Sequence, residues 1–343
     1  MSSQNLIGYS AQRFKSLLLE MGEKPYRGKQ IYKWLYNDRL YEFAGMTNLS
    51  KELRTRLESS YVARLPELAH RAVSRDGTEK FLFRLDDGLP IEAVLIPDDD
   101  RTTVCISSQS GCAQGCTFCA TGKMGFKRNL TVGEIVGQLM YLRDHCGNEV
   151  FTNVVFMGMG EPFNNFDNLL EAIGIMTDSQ GLGIGARKIT VSTVGLTPGI
   201  RKYTTSGAKA HLALSLHSAV QEKREKLIPT ARKYPLDSLM EAVRDYTATS
   251  RQRIFIEYAL FKDFNDSKED ALALVRLIQG LPCKINLLAY NEVDGLPYRS
   301  PSPEKVDWFA RILYPRTPAV TVRKSRGSDI AAACGQLAAK IID

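Results

Sequence analysis

The chain has 343 residues, of which 44% are hydrophobic and 24% are charged, and its formal net charge is +7. This is the composition of a soluble globular enzyme, and the length is sufficient for one large α/β domain with a smaller one. No apolar segment approaches the roughly 20 residues of a membrane span, and residues 1–24 lack the apolar core of a signal peptide. The sequence therefore predicts a cytoplasmic protein that does not use a membrane.

Cysteine usage narrows the class of protein further. In a chain without an export signal, seven cysteines favour metal binding or catalysis over a disulfide framework. They are Cys105, Cys112, Cys116, Cys119, Cys146, Cys283 and Cys334. The moderately basic charge is compatible with a polyanionic partner, although many metabolic enzymes are equally basic.

The N-terminal segment shows apolar residues at helical spacing, and residues 1–62 are predicted as a helical accessory domain. Ser50 is the expected N-cap of a helix in which Leu53 and Leu57 share one face. Basic and aromatic side chains alternate here and are suited to a phosphate backbone and to base stacking; they are Tyr26, Lys29, Tyr32, Lys33, Trp34, Tyr36, Arg54 and Arg56. The alternative is that these aromatics form the core of the module and that the lysines are only solvated.

Residues 68–97 change to an alternating pattern with turn signals at residues 76–77 and 86–88. This pattern predicts an antiparallel β extension over residues 63–100, between the helical module and the cysteine-rich region. Glu92 lies in the most apolar of its strands. Its carboxylate is expected either on the solvent face or in a pocket.

From residue 103 onward, short strands alternate with helices. Strands are predicted at 103–108, 152–157, 188–193, 211–216, 254–260, 284–289 and 319–323, and helices at 131–146, 166–177, 197–206, 219–227, 236–248 and 267–279. Capping boxes are expected at Thr131 with Glu134 and at Ser267 with Asp270. The alternation predicts a parallel sheet, and residues 101–343 are expected to form a complete or partial (β/α) barrel.

Three cysteines in a C-x3-C-x2-C spacing follow the first barrel strand: Cys112, Cys116 and Cys119. A closed zinc site and an ordinary iron–sulfur carrier each take four protein ligands. Three cysteines therefore favour a cluster with one iron left open for a ligand. The alternatives are inert thiols, or a zinc site completed by Cys105 or Cys146.

Small or polar residues follow several of the other barrel strands, where barrel enzymes collect their chemistry. These strand-end segments are Gly158-Met159-Gly160-Glu161-Pro162, Ser192-Thr193, Ser215-Leu216-His217 and Tyr290-Asn291. The sequence therefore predicts a ligand pocket at the C-terminal ends of the strands. Cys334, in contrast, lies in an alanine-rich stretch that resembles a helix start, where a cysteine is usually a buried small residue.

The cysteine spacing together with residues 158–162 resembles the radical S-adenosylmethionine (SAM) superfamily. Over nearly its full length the chain resembles the RlmN/Cfr family of radical SAM RNA methyltransferases, and Pro162 after Glu161 is similar to the RlmN branch. The matching segments are residues 26–31, 105–109, 111–122, 129–131, 156–162, 192–195, 215–218 and 327–337.

The resemblance implies a 4Fe–4S cluster on Cys112, Cys116 and Cys119, with SAM bound to the open iron. It implies SAM contacts from Gly160, Glu161, Ser192, Ser215, Leu216, His217 and Asn291. Phe118 is expected near the SAM adenine, and Lys127 and Arg128 are expected to face either RNA or solvent.

The resemblance also implies a reaction that consumes two SAM molecules per turnover. The first SAM methylates Cys334. The second is cleaved reductively on the cluster, and the resulting radical activates the S-methyl group, which adds to adenine C2. Glu92 then takes the C2 proton, and Cys105 attacks the Cys334 sulfur to release the product and form a disulfide, which an external reductant reopens.

The implied substrates are an adenosine of 23S rRNA near the peptidyl-transferase centre and the adenosine 3′ of the anticodon in some tRNAs. The expected partners are an electron donor such as flavodoxin or ferredoxin and no further subunit, so that the protein acts as a monomer. The competing hypotheses are a Cfr-like methyltransferase for adenine C8, a radical SAM enzyme with a non-RNA substrate, and a non-enzymatic zinc-binding RNA module.

Overall fold

The computed structural model describes residues 4–98, 101–147 and 151–339. Its strands, in chain order, are β1 (Gln4–Asn5), β2 (Tyr61–Val62), β3 (Glu67–Val73), β4 (Glu79–Arg84), β5 (Pro90–Asp98), β6 (Arg101–Cys105), β7 (Gln109–Gly111), β8 (Phe126–Asn129), β9 (Asn153–Phe156), β10 (Ile189–Thr193), β11 (His211–Ser215), β12 (Ile254–Leu260), β13 (Cys283–Ala289) and β14 (Val320–Arg323).

The helices connect these strands. In chain order they are α1 (Ala11–Glu20), α2 (Tyr26–Tyr36), α3 (Lys51–Ser60), α4 (Ala120–Met124), α5 (Val132–His145), α6 (Phe166–Thr177), α7 (Thr197–Thr205), α8 (Gln221–Leu227), α9 (Leu236–Ser250), α10 (Lys268–Leu277) and α11 (Pro303–Leu313). No helix within the described ranges is long and apolar enough to cross a membrane.

The main sheet has ten strands in the order β14-β13-β12-β11-β10-β9-β6-β5-β4-β3. The seven strands from β14 to β6 are parallel, and helices connect most of the successive pairs. Their buried positions are mostly apolar, as expected for a parallel sheet, and the exceptions are Ser192, Thr193, Glu257 and Asn286. The predicted strands and connecting helices of the partial barrel are thereby confirmed.

The antiparallel unit is continuous with this sheet. β5 pairs with β6 in antiparallel register, which places Val94 opposite Cys105, and β4 and β3 extend the same edge. A simple linker between the helical module and the barrel would not need to pair with the barrel sheet. The edge strands therefore hold Glu92 in a fixed register beside the barrel.

The N-terminal helices have an aromatic core of their own. Tyr32 and Tyr36 are buried, and their rings meet edge to face with centroids 4.7 Å apart. The alternative in which aromatics form the core therefore holds for these two tyrosines, whereas Tyr26 is half exposed. The module packs closely on α5, because a Cβ atom on Gly133 would lie 2.3 Å from the carbonyl oxygen of Ile7.

The helix starts follow the predicted capping chemistry. The backbone N–H of Leu53 donates to Ser50 Oγ, and complete capping boxes form at Thr131 with Glu134 and at Ser267 with Asp270. Helix α11 was not among the predicted elements, although Ser302 caps it and Pro303 occupies its first turn. The hairpin of β7 with β8 was not predicted either.

Candidate active site

A cavity opens at the C-terminal ends of the parallel strands. Its walls are formed by the cysteine loop, by the loops after β9, β10, β11 and β13, and by the C-terminal segment. The lining residues include Cys112, Cys116, Phe118, Cys119, Gly160, Glu161, Ser192, Ser215, His217, Glu257, Asn291 and Cys334. The sequence prediction of a pocket at these strand ends is thereby confirmed.

Short backbone contacts fix the cysteine loop. The N–H of Cys112 donates to the carbonyl of Gly125, and the N–H of Thr117 donates to the carbonyl of Leu227 at the end of α8. Helix α4 begins directly after Cys119. The three thiols therefore reach the cavity from a loop that is anchored on both sides.

The donor set of this loop fits an iron–sulfur cluster. Burial raises the pKa of Cys112 to about 12, and burial together with Cys119 and Cys112 raises that of Cys116. Among the described residues, no group of three or more His, Cys, Asp or Glu side chains is arranged so that it could hold a single metal ion. Cysteine thiolates are the ligands of iron–sulfur clusters, which bind each thiolate at a separate iron. Neither Cys105 nor Cys146 lines the cavity.

Gly160 and Glu161 form the wall after β9. Gly160 has φ +102°, and a Cβ atom there would lie 2.6 Å from Cβ of Gln109, so that this close approach requires glycine. The carboxylate of Glu161 accepts from the N–H of Phe163 at 3.1 Å and from the N–H of Val194 at 2.9 Å. Its side chain therefore ties two strand ends together. Burial raises the pKa of Glu161 to about 7.

The ends of β10 and β11 place three polar groups side by side. The hydroxyl oxygens of Ser192 and Ser215 are 3.2 Å apart. Nδ1 of His217 accepts from the N–H of Ala259 at 3.0 Å, and its ring meets that of Phe118 edge to face. Burial, helped by Arg224, lowers the pKa of His217 to about 3, so that the imidazole is neutral. The side chain of Leu216 lies in the hydrophobic core, which leaves only its backbone near the cavity.

Cys334 is accessible from the cavity, and the cysteine loop holds the residues that follow it. The N–H of Ala120 donates to the carbonyl of Gly335 at 2.8 Å, and Thr121 Oγ1 donates to the carbonyl of Leu337 at 2.6 Å. Asn291 Nδ2 donates to the carbonyl of Cys334 itself at 3.2 Å. The predicted helix start is wrong, because Ala331 and Gly335 adopt positive φ angles and the stretch is a series of turns.

Cys105 lies behind the cavity at the end of β6. It is 7% exposed and packs with Met159, Ala332 and Leu337. Burial raises its pKa well above the ordinary value, and the neighbouring Cys334 raises it further. The fold therefore brings a strand cysteine and a C-terminal cysteine together, although 228 positions separate them in the sequence.

Glu92 is fully buried on β5, which excludes the solvent-face alternative, but it is not among the residues that line the cavity. Its Oε2 accepts from the N–H groups of Ala338 and Ala339 at 2.9 and 3.0 Å, and Lys80 Nζ lies 3.2 Å from Oε1. Burial raises the pKa of Glu92, whereas Lys80 and the two N–H groups oppose this shift. Glu92 thus contacts the segment that carries Cys334.

Several polar residues around the site were not among the sequence candidates. Glu257 lines the cavity and accepts from Asn286 Nδ2 at 2.7 Å. Arg224 is fully buried and donates to the carbonyl of Val194. In the part of the chain that the structure describes, its Nε and Nη1 atoms have no hydrogen-bond partner. Arg128 forms ion pairs with Asp87 and Glu134.

Comparisons with known proteins agree with this geometry. Residues 4–62 match the family model for the ribosomal RNA large subunit methyltransferase N-terminal domain, and residues 106–275 match that of the radical SAM superfamily. A crystal structure of a radical SAM methyltransferase from Sphaerobacter thermophilus superposes with a TM-score of 0.93 at 40% identity, over 98% of this chain and 100% of that one.

Curated relatives extend the similarity over the whole chain. The dual-specificity RNA methyltransferase RlmN of Solidesulfovibrio magneticus is 45% identical over 98% of this chain and 97% of its own length. The protein of the same name from Geobacter sulfurreducens is 46% identical over 97% of this chain and 92% of its own. A 4Fe–4S cluster and SAM are the cofactors of the radical SAM superfamily, and hence of this chain. The chain belongs to the RlmN family of radical SAM methyltransferases.

Proposed function

We propose that this protein methylates C2 of an adenosine in 23S rRNA and of the adenosine 3′ of the anticodon in some tRNAs, with Cys334 as the methyl carrier. The observation that carries the proposal is the placement of Cys334 in one cavity with Cys112, Cys116 and Cys119. An ordinary SAM-dependent methyltransferase needs no thiol between SAM and its substrate. A carrier thiol beside a cluster site suits a carbon such as adenine C2, which is too electron-poor to attack a methyl sulfonium.

Cys112, Cys116 and Cys119 are proposed to hold the cluster, and Gly160, Glu161, Ser192, Ser215, His217 and Asn291, with the backbone of Leu216, to hold SAM. When bound, these groups supply the methyl group and the one-electron chemistry that activates the S-methyl carbon. Thiolates are the binding form of cysteine, so loading the site displaces protons from thiols whose pKa values are raised. Phe118 and the neutral His217 form an aromatic wall of the cavity that would face the SAM adenine.

Cys334 and Cys105 are proposed to have different covalent roles, as methyl carrier and as resolving thiol. Cys334 is accessible and receives the methyl group, whereas Cys105 is buried behind it. Attack of the Cys105 thiolate on the Cys334 sulfur forms the S–S bond and breaks the bond between that sulfur and the transferred carbon, which leaves with the electron pair and takes up a proton to become the methyl group of the released RNA. One reductant dithiol then reopens the disulfide. Burial and the neighbouring Cys334 raise the pKa of Cys105, so that its thiol is protonated in the resting protein.

Glu92 is proposed as the base for the C2 proton. A carboxylate that is desolvated in the resting protein is a stronger base than one in water, which suits removal of a carbon-bound proton. Its contacts with Ala338 and Ala339, on the segment that carries Cys334, support this role.

Residues 1–62 are proposed as the RNA-binding accessory domain, residues 63–100 as an antiparallel β extension, and residues 101–343 as the catalytic barrel with the segment that carries Cys334. Tyr26, Lys29 and Lys33 support this assignment, because they are exposed and lie on one face of α2. Such a face suits the backbone and the unstacked bases of RNA. A cytoplasmic monomer that receives electrons from a flavodoxin or ferredoxin completes the proposal.

The test is nucleoside mass spectrometry after incubation of the reconstituted protein with SAM, reductant and protein-free 23S rRNA or tRNA in separate reactions. The proposal predicts 2-methyladenosine in each pool, and none with C334A, whereas C283A retains activity because Cys283 is a buried core residue. Formation of 8-methyladenosine, or turnover by C334A, would contradict it.

A metal analysis accompanies this test. The reconstituted protein should bind about four irons and be brown. The triple variant C112A/C116A/C119A should bind none, and C283A should match the parent protein. A colourless protein with one zinc would instead support the non-enzymatic alternative.

A further inference from the structure

Lys80 and Glu92 form a buried ion pair beside the carrier segment. Lys80 lies on β4 with 3% of its side chain exposed, and its Nζ is 3.2 Å from Oε1 of the fully buried Glu92 on β5. The two residues are diagonal neighbours in the sheet, since Lys80 pairs with Val94 and Glu92 pairs with Leu82. The pair therefore occupies positions at which two apolar side chains would suit the sheet equally well.

Both members of the pair also bind the segment that carries Cys334. Lys80 Nζ donates to the carbonyl of Ala331 at 3.4 Å, on the N-terminal side of Cys334. Glu92 Oε2 accepts from the N–H groups of Ala338 and Ala339, on its C-terminal side. The pair thus forms hydrogen bonds with the segment both before and after Cys334 in the sequence.

Stability alone does not account for this arrangement. Desolvation of two charges offsets most of their mutual attraction, and apolar replacements of buried pairs are often neutral or stabilising. The segment also has independent anchors, because Asp329 accepts from Ser74 Oγ and Asp76 accepts from the N–H of Gly327. A function beyond anchoring is therefore needed to explain a lysine at position 80.

We propose that Lys80 is a positioning residue. By contacting both Glu92 and the segment that carries Cys334, it holds the carboxylate within reach of the C2 proton of RNA attached to the Cys334 sulfur. This inference rests on the proposed function. The groups that act on the Glu92 carboxylate are Lys80 on β4 and the N–H groups of Ala338 and Ala339 on the carrier segment. Lys80 favours the ionised form of Glu92, which is the form that accepts a proton.

The consequence is a selective defect in K80M. Methylation of Cys334 by the first SAM does not use Glu92 and should proceed at the parental rate. Removal of the C2 proton should slow, and the covalent protein–RNA adduct should accumulate. A general base contributes roughly 10²–10⁴-fold to a rate, so that a misplaced base should slow release of the RNA by at least about tenfold.

The experiment follows three quantities in single-turnover reactions of the reconstituted protein. Mass spectrometry of the Cys334 peptide measures the first methylation. Denaturing gel electrophoresis with labelled RNA measures the adduct, and nucleoside analysis measures released product. The rate of adduct decay should rise with pH as Glu92 ionises. In K80M the midpoint of this rise should move to higher pH, because the Lys80 ammonium no longer stabilises the carboxylate.

Four variants make the result specific. K80R keeps the charge and should restore adduct decay, and E92Q should trap the adduct at every pH. In K80M the buried Glu92 carboxylate has lost its partner, and the double variant K80M/E92Q removes that charge. The double variant should fold as the parent protein does and trap the adduct like E92Q. K223M is the control for the loss of a lysine that pairs with a buried carboxylate, because Lys223 Nζ lies 2.7 Å from Oδ1 of the buried Asp270.

The outcomes separate this inference from the function on which it rests. If the parent protein does not methylate Cys334 and the E92Q variant forms no adduct with RNA, the proposed function fails. If E92Q traps the adduct while a folded K80M clears it at the parental rate and with the parental pH midpoint, the assignment of Lys80 is overturned. Trapping by K80M with rescue by K80R supports it.

Discussion

Glu161 joins the ends of two neighbouring strands through its contact with Val194, whose N–H donates to Glu161 Oε2 at 2.9 Å. The other carboxylate oxygen accepts from the N–H of Phe163 at 3.1 Å. A residue expected to contact SAM therefore also shapes the wall against which SAM is proposed to lie.

The E161A variant should lose both stability and SAM affinity. Each N–H that loses its partner in a buried site costs about 1–3 kcal/mol, so that the free energy of unfolding should fall by roughly that amount or more. Urea denaturation and equilibrium dialysis with labelled SAM measure the two effects. E161Q keeps one acceptor oxygen and should be intermediate.

E292A provides the comparison for this variant. Glu292 is half exposed and accepts one N–H, from Ser300 at 3.0 Å, so that its loss should cost much less. An E161A protein as stable as E292A would contradict the bridging role of Glu161.

The G160A variant tests the close approach of the loop after β9 to Gln109 on β7. A methyl group at position 160 would meet Gln109 and would also adopt a φ of +102°, which side chains disfavour. Strain of this kind costs on the order of 1–3 kcal/mol, and the loop should move away from the SAM site. Thermal unfolding and SAM binding should therefore both weaken.

G207A is the matched control, because Gly207 also has a positive φ of +76° but nothing lies within 4 Å of an added Cβ. It should lose stability without losing SAM affinity. Equal SAM affinity in G160A and G207A would show that the packing against Gln109 does not shape the site.

The protonation of His217 should make the metal-free chain sensitive to acid. Burial, and to a smaller extent Arg224, lower the pKa of His217 from 6.5 to about 3. Because the folded pKa lies below the unfolded one, this stabilisation is complete above about pH 6.5 and is lost as the pH falls towards 3. Each pH unit in that window removes up to about 1.4 kcal/mol.

Urea denaturation of the metal-free chain at about pH 7 and about pH 5 measures this loss. The H217Q variant should show a smaller difference between the two conditions, since glutamine does not titrate. An unchanged difference in H217Q would mean that another group causes the acid sensitivity.

Much of this site was predictable from sequence because a parallel sheet gathers its strand ends. Alternation of strands and helices indicated the partial barrel, and the polar residues that follow β10, β11 and β13 indicated that Ser192, Ser215 and Asn291 share a cavity. The periodicity of the strands carries this information without any long-range contact. For Glu92, the same periodicity left the solvent face and a pocket equally open.

The contacts across distant segments were not predictable in this way. Lys80 meets Glu92 only through the register of β4 with β5, and it meets Ala331 only through the path of the C-terminal segment. Arg224 lies on a short helix of charged residues, where an exposed side chain is the ordinary expectation. The alanine-rich stretch at Cys334 favours a helix locally, but hydrogen bonds from Asn291 in the loop after β13 and from Thr121 on α4 hold it in turns.

The C105A variant should stop the reaction after one round of attachment. The pair Cys105 and Cys334 is proposed to release the RNA through a disulfide, so that without Cys105 the adduct persists and thiol reductants do not clear it. Gel analysis under denaturing conditions with labelled RNA measures the adduct. C283A replaces another buried cysteine and should release product normally, and release by C105A at the parental rate would refute the role of Cys105.

The central claim is that the transferred carbon travels on Cys334, and isotope transfer tests it most directly. The protein is first loaded with a deuterated methyl group on Cys334 from labelled SAM, freed of that SAM, and then given unlabelled SAM, reductant and RNA for a single turnover. The account predicts that the 2-methyladenosine formed retains deuterium in its methyl group. Product that carries only unlabelled methyl would show that the carbon comes directly from the second SAM, and it would contradict the account.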